Sequence, residues 1–434
     1  MVRPAAMTTA AVGGVVGLAG AAAALAQTTN VERPATVVVG LPSGGARTER
    51  VDGARTGRSR DALPTGSLHT DWREPTGATL EHAPVVDAHG TTYVVGTRGE
   101  VVSIARDGTE RWRASTSAIQ PGAAALLSNE TLVFVAASGD AIGVRDGVLV
   151  WRTRFGRQDQ GHPAPLPLDD GGVVVATSHE LAELDADGHE RSRTTLPEHE
   201  AIAAPLVSAQ GRVVAVTVNG TVWAWTPGTT EPTRIGSFGS AIDGGAALAD
   251  DHTLVAVTGG QLHFEALDLA RGSTTTRAVA PAGLFLGPPA MRGPVAMLGL
   301  LAPTSELLIS FDGSGSELSR TPLATHPPPI GTDGGVGVLV ASSHTPPLVD
   351  AAGTYAFATT DGKVGVVPAG GAVEMLADAC STSAGVLASV NRTPAPASGL
   401  APLGAGAFVV TCHSGGVLAV RGAGAGEERP SHLK

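Results

Sequence analysis

Side chains able to do chemistry are present, but they are poorly spaced for it. A bound metal needs His, Cys, Asp or Glu repeated at short, fixed spacings on one element. The chain has 13 His, and His179, His189 and His199 fall ten residues apart. No His-x-x-x-His or Glu-flanked pair lies on a single element, so these read as solvent-exposed turn histidines. A serine nucleophile needs a Gly-x-Ser-x-Gly elbow that opens a helix. Gly313-Ser314-Gly315-Ser316 instead follows the run ELLISFD, which marks it as a hairpin turn. Asn129-Glu130-Thr131, Asn219-Gly220-Thr221 and Asn391-Arg392-Thr393 match N-glycosylation sequons, a match that chance supplies in a chain of this length. Two cysteines, Cys380 and Cys412, are too few for a disulfide scaffold or a structural zinc site.

Composition narrows the elements that must carry these residues. The 58 Gly and 30 Pro make up about a fifth of the 434 residues, against roughly an eighth in an average chain. Each costs too much in a helix interior for a helical bundle to survive. At 42% hydrophobic residues the chain has the material for a large core, which excludes wholesale disorder. The 29 basic and 40 acidic residues leave a net charge of −11, which disfavours nucleic acid and anionic membrane as partners. Only Lys363 and Lys434 among the basic residues are lysine, and alanine is abundant, the composition of a GC-rich bacterial coding sequence.

Residues 1–26 read as a secretory signal peptide. Arg3 supplies the positive start, Ala10 to Leu25 is uncharged, and Ala24-Leu25-Ala26 offers a small-x-small cleavage site before Gln27. A retained membrane anchor is the alternative. No cysteine near that site offers a lipid attachment point. The expectation is an exported, periplasmic or extracellular protein without membrane insertion after cleavage. Residues 27–66, rich in Pro, Gly and Arg and without periodicity, read as a flexible leader.

A repeat organises the rest. A small apolar signature followed by a turn and a Val-rich run begins with Ala83-Pro84-Val85-Val86 and recurs through Ala401-Pro402-Leu403. Positions 84, 124, 165, 205, 247 and 289 are 40 to 42 apart, and the last two steps, to 347 and 402, are 58 and 55. In the first unit, Ala83–Asp87, Thr91–Thr97, Glu100–Arg106 and Thr109–Ser115 read as four strands. They are separated by Gly90, Arg98-Gly99 and Asp107-Gly108, since Gly supplies positive φ without steric cost. Four short strands every 40 or so residues describe a β-propeller blade. The fold class is all-β, an eight-bladed β-propeller of four-stranded antiparallel blades over 67–421, with seven blades as the alternative and a tail at 422–434. Trp72, Trp112 and Trp151 are spaced 40 and 39 apart, so Trp72 holds the fourth-strand position of a blade lacking its own. Residues 68–75 should therefore complete blade eight and lock the ring, removing the open sheet edges.

The blade endings ARDGTERW (Ala105 to Trp112) and RDGVLVW (Arg145 to Trp151) resemble those of the PQQ-like repeat propellers, the quinoprotein dehydrogenases and their non-catalytic relatives. The segment VDGARTGRS (Val51 to Ser59) is similar to the stretch that often precedes such rings. The resemblance covers roughly 51–421. It implies that Trp72, Trp112 and Trp151 dock each blade against its neighbour. All five Trp lie at or before Trp225, so the later blades must dock through smaller side chains. Quinone catalysis in that family implies a flat quinone between a tryptophan and an adjacent cysteine pair, with calcium and a catalytic aspartate. Cys380 and Cys412 are not adjacent, no aromatic cluster falls in the later blades, and the chain is short for such an enzyme. No cofactor, metal or catalytic residue is therefore expected.

In a four-stranded blade the ends of strands two and four share one face. Cys380 follows the fourth strand of blade seven and Cys412 ends the second strand of blade eight, so a disulfide is expected in an oxidising compartment, with two free thiols as the alternative. Two insertions, 322–346 and 379–399, project from the same face, as do the second-to-third-strand turns carrying Arg98, Asp140, His179, Glu180, Asp361 and His413. Together they form a candidate one-sided binding surface. The reading is an exported, non-enzymatic, monomeric scaffold presenting loops to a protein or glycan partner. A quinoprotein-like dehydrogenase or small-ligand binder using the central pocket is the alternative.

Overall fold

The computed structural model describes residues 46–154, 163–197, 201–203, 206–281, 283–325, 345–359, 361–376, 379–380 and 397–423. It contains eight four-stranded antiparallel sheets and, among the described residues, no α-helix. In blade one the strands run outward as Val85–Val86, Thr92–Val95, Glu100–Ile104 and Glu110–Ser115. The same order repeats from Ala125–Leu126 to Val148–Arg154, from Leu166–Pro167 to Glu190–Thr195 and from Val207–Ala209 to Thr233–Ser237. It continues from Ile242–Asp250 to Thr274–Val279, from Leu284–Arg292 to Glu317–Thr325 and from Leu348–Val349 to Glu374–Leu376. Blade eight takes Ala397–Pro402, Ala407–Cys412 and Gly416–Gly422 from the end of the chain and its outer strand, Leu68–Pro75, from the beginning. Eight blades close, and the ring is sealed by strand pairing between Leu68↔Gly422 and Pro75↔Gly416. The long step between units six and seven is taken up partly by the long hairpin strands of blade six, Val295–Ala302, Ser305–Phe311 and Glu317–Thr325. That last strand claims residues 322–325 of the first expected insertion, and Ala397–Pro402 claims 397–399 of the second. Most of both insertions, like the signal segment and the tail beyond Ala423, lies outside the described residues.

The core is divided between blades. Successive strand side chains point to opposite faces, and in a ring each face meets a different neighbour. Val86, Val94, Val102 and Ile104 pack with blade eight, whereas Val85, Tyr93, Val95 and Val101 pack with blade two. The middle strands are therefore buried on both faces, which is why they read as unbroken Val-rich runs.

Trp and Arg adjacent in sequence dock the first blades in opposite directions. Each Trp reaches forward to a turn glycine of the next blade. A Cβ on Gly108 would stand 2.6 Å from Trp72, on Gly188 2.4 Å from Trp151, and on Gly147 3.4 Å from Trp112. Trp72 Nε1 also donates to Arg106 O at 2.9 Å and Trp151 Nε1 to Ala186 O at 3.2 Å. Each following Arg reaches backward: Arg73 to Ala379 O (2.8 Å), Arg113 to Thr76 O (2.6 Å) and Arg152 to Thr116 O (2.6 Å). Farther round, backbone replaces the ring: Gly272 lies against Ile235 O and Gly315 against Arg277 O, so tightly that a Cβ would stand 2.3 Å and 2.1 Å away.

The expected flexible leader is corrected by the structure over its second half. Residues 46–63 form a strap along the inner strands, with Ala46, Thr48, Val51, Asp52, Arg55, Ser59 and Leu63 all buried. It visits the blades in order. Val86 N donates to Ala46 O (2.8 Å), Leu126 N to Arg47 O (2.7 Å), Ser208 N to Gly53 O (2.7 Å) and Leu248 N to Ala54 O (3.0 Å). Met291 N then donates to Thr56 O (2.8 Å) and Val349 N to Gly57 O (2.9 Å). The inner strands of blades three and eight end in Pro167 and Pro402, which have no N–H to give. Blade three is reached through Arg55 instead. This buried guanidinium donates to Ala164 O, Pro165 O and Leu206 O, and within the strap to Glu49 O and Thr48 Oγ1. The physical reason for the order is the inner edge itself: innermost strands carry unpaired backbone groups that must find partners when buried.

Candidate functional site

Five blades contribute the six candidate face residues, and the structure places all six at second-to-third-strand turns. Arg98 belongs to blade one, Asp140 to blade two, His179 and Glu180 to blade three, Asp361 to blade seven and His413 to blade eight. Blades seven, eight, one, two and three are consecutive around the ring, so the residues form an arc. They do not converge. Asp140 pairs with Arg152 (3.8 Å) and Arg154 (3.9 Å) of its own blade, Glu180 with Arg193 (3.4 Å), and Asp361 with Lys363 (2.5 Å). Burial works to raise the Asp361 carboxyl, but the hydrogen bonds from Lys363 and Thr359 outweigh it and hold it below its usual range. His189 is exposed and pairs with Asp185 at 3.2 Å in a turn. His199 lies outside the described residues. Gly313 to Ser316 form the turn between the last two strands of blade six, stitched by Asp312 accepting from Ser314 N (2.8 Å) and Ser316 N (2.9 Å).

Cys380 and Cys412 are joined, with S–S 2.02 Å and Cα–Cα 5.3 Å. Both are buried. Cys380 N donates to Gly362 O at 2.9 Å, so the bridge ties the Asp361 turn of blade seven to the second strand of blade eight. On the same face, Ile119 in the link between blades one and two is 71% exposed. Its carbonyl accepts from Ala137 N at 3.1 Å, which fixes it beside the turn leading to Asp140.

A cavity of about 400 Å³ opens at the centre of this face. Its walls come from the inner strands and the residue before one of them: Ile242, Pro288, Pro347, Leu348 and Leu400. Its floor is the strap, through Glu49, Arg50 and Gly57, and Glu81 and His82 stand at its side. Arg50 is 5% exposed. Its Nη2 donates to Pro289 O, while Nε and Nη1 have no hydrogen-bond partner. Burial pulls its pKa down to about 9, against the opposite pull of Glu49 and Asp52. Gly57, at φ +66°, cannot carry a Cβ without meeting Pro347 O at 2.9 Å, so glycine is required where the strap passes under the cavity. The residues present do not fit a flat quinone with calcium. Among the described residues no tryptophan, tyrosine or phenylalanine lines the cavity and no group of three His, Cys, Asp or Glu could hold a metal, and the cysteine pair is 32 residues apart in sequence.

Arg50, Glu49 and Ile119 escape sequence reasoning. The first two sit in text whose Arg and Glu density suggests solvent; the available signal was the recurrence of Gly53 and Gly57 in VDGARTGRS, which marks close backbone approach. Ile119 stands alone between two blades and carries no periodic signal.

Eight four-stranded antiparallel blades closed by an N-terminal strand define a β-propeller. The family model described as outer membrane protein assembly factor BamB matches residues 52–275, more than half the chain, and the chain belongs to that family of PQQ-like repeat propellers. The match begins inside the strap, after Arg50. No curated protein matches the chain in sequence. Among solved structures, BamB from Moraxella catarrhalis aligns with a TM-score of 0.55 at 16% identity, covering 82% of this chain and 98% of that one. Quinohemoprotein alcohol dehydrogenase from Comamonas testosteroni aligns at 0.61 and 13% identity, covering 87% and 80%. The computationally designed Ika8 protein aligns at 0.56 and 14% identity, covering 83% and 99%. At these identities the structures share the fold alone.

Proposed function

We propose that the chain is an exported, non-enzymatic scaffold of the bacterial envelope that holds a protein partner on the face carrying the second-to-third-strand turns. The observation that carries the reading is the family match to an outer membrane assembly factor. The arc of charged turns on five consecutive blades, with exposed Ile119 among them, supports it: an apolar anchor within a polar rim is the anatomy of a protein interface. The stiffness comes from the strap, the strand closure and the Cys380–Cys412 bridge, which together keep loops of distant sequence in fixed relation. Carboxylates tied pairwise within separate blades, as Asp140, Glu180 and Asp361 are, support binding over catalysis, which needs convergent groups.

The test is co-purification from envelope extracts of the source bacterium, comparing wild type with Ile119→Arg and, as a control on the opposite face, Ser314→Arg. Ile119→Arg should reduce the recovered partner at least about fivefold with an unchanged melting temperature, the loss of one anchor being worth about 1–2 kcal/mol. Ser314→Arg should leave recovery intact. Equal recovery from all three, or saturable binding of PQQ with Ca²⁺ accompanied by dehydrogenase activity, would contradict the reading.

A further inference from the structure

The outer edge of blade two departs from the pattern of other blades. In blades one, three and six the outer strand opens on a glutamate that pairs with an arginine three residues on: Glu110 with Arg113 (2.6 Å), Glu190 with Arg193 (2.6 Å) and Glu317 with Arg320 (2.8 Å). A bulge follows each glutamate. Its extra residue in blades one and three is an arginine turned back on its own blade, Arg111 donating to Thr91 Oγ1 (3.2 Å) and Arg191 to Asp170. Blade two keeps the bulge and replaces both residues. Leu149 lies opposite Val144 as Glu110 lies opposite Ile104, and Val150 is the extra residue. Val148, Leu149 and Val150 are 61%, 40% and 39% exposed, the one consecutive run of exposed large apolar side chains among the described residues.

Edge strands expose unpaired backbone groups, and proteins blunt them with charge, proline or shortness. Other edges of the ring carry these devices. Pro75 and Pro322 stand in the outer strands of blades eight and six, and that of blade seven, Glu374–Leu376, is three residues long. Val148–Arg154 contains no proline and no carboxylate, and among the described residues only Asp140–Arg145 pairs with it. Loss of the glutamate also leaves Arg152 and Arg154 sharing one carboxylate, Asp140, at 3.8 and 3.9 Å, beyond hydrogen-bond reach. The edge is apolar at its start and basic at its end.

We propose that this edge is a second docking surface, on the rim between the two faces, which takes an extended acidic and aliphatic peptide segment of a partner protein as a fifth strand. Antiparallel pairing is the more stable kind, and it sets the order of the segment. Carboxylates come first, opposite Arg154 and Arg152, and aliphatic side chains follow, against Val150, Leu149 and Val148. Backbone pairing supplies affinity and the alternate side chains supply selectivity. The charge pattern selects this occupant over a second copy of the chain, because an identical strand has no carboxylate to offer the two arginines. The site does not rest on partner docking at Ile119, and either can fail alone.

Fluorescence anisotropy of the full chain with the labelled peptide Glu-Thr-Glu-Thr-Val-Thr-Val tests this, beside the same peptide with lysine for both glutamates. The acidic probe should bind saturably, and the lysine probe at least about tenfold more weakly. Leu149→Glu restores the residue type that blades one and three carry. It should leave the melting temperature unchanged while weakening the acidic probe at least about tenfold. Arg154→Gln, at a side chain 82% exposed, should weaken the acidic probe about threefold and leave the lysine probe unchanged. No saturable binding of the acidic probe up to about 1 mM, equal affinity for the two probes, or binding that survives Leu149→Glu would overturn the proposal. So would a wild-type dimer that Leu149→Glu dissolves, which would give the edge to a second copy.

Discussion

Gly188 and Gly77 both have positive φ, +82° and +71°, yet they sit in opposite surroundings. A Cβ on Gly188 would stand 2.4 Å from the Trp151 ring, whereas nothing lies within 4 Å of one on Gly77. Gly77→Ala should therefore cost only the left-handed penalty, about 1–2 kcal/mol. Gly188→Ala adds overpacking of about 1–3 kcal/mol. Urea denaturation of the two variants should give clearly different midpoints, and equal midpoints would show that the ring does not rest on that glycine. That Trp72, Trp112 and Trp151 dock against the next blade was implied by the family resemblance of the blade endings, and the Asp-Gly turns announce themselves, but the glycine that each ring meets was not foreseen. Nor was the backward reach of Arg73, Arg113 and Arg152. A Trp-Arg dipeptide on an exposed strand looks like an ordinary solvated charge until the neighbouring carbonyl is in place.

Within elements, the strands are simple and the strap is not. Alternating burial fails as a guide when both faces of a strand are covered, and here the apolar runs, their turns and the 40-residue spacing gave the blades instead. The strap has no period because it repeats a contact rather than a structure: one carbonyl for each of six inner strands, with Arg55 serving blade three, separated by whatever chain length the circuit requires. Arg55 is its hub, with five hydrogen bonds to backbone and side-chain oxygens. Burial brings its pKa down to about 10, opposed by Glu49 and Asp52, which leaves it charged at neutral pH. Arg55→Lys keeps that charge and loses the planar fork, leaving several buried carbonyls unpaired. It should destabilise the ring by about 3–5 kcal/mol, read as a shift in the denaturation midpoint. The same shift for Arg58→Lys, in a strap position with fewer partners, would remove the special role assigned to Arg55.

Between residues 46 and 423 the described strands form a closed ring of eight blades. The first and last described strands pair, the inner edge is covered from within, and the Cys380–Cys412 bridge fastens blade seven to blade eight. Sequence reading placed the six turn residues on a common side of the ring, because turn positions follow from strand counting once the blades are known. It could not find the cavity at the centre, whose floor is supplied by residues 49–57 from text that carries no strand pattern. The central claim is that this face, and not its opposite, meets the partner. Site-specific photo-crosslinking from Arg98, Ile119 and Asp361, against Asp107, Asp187 and Ser314 on the opposite face, measures it most directly in intact envelopes of the source bacterium. One discrete protein adduct is expected from each of the first three positions and none from the second three. Adducts that favour the second set, or that show no preference between faces, would contradict it.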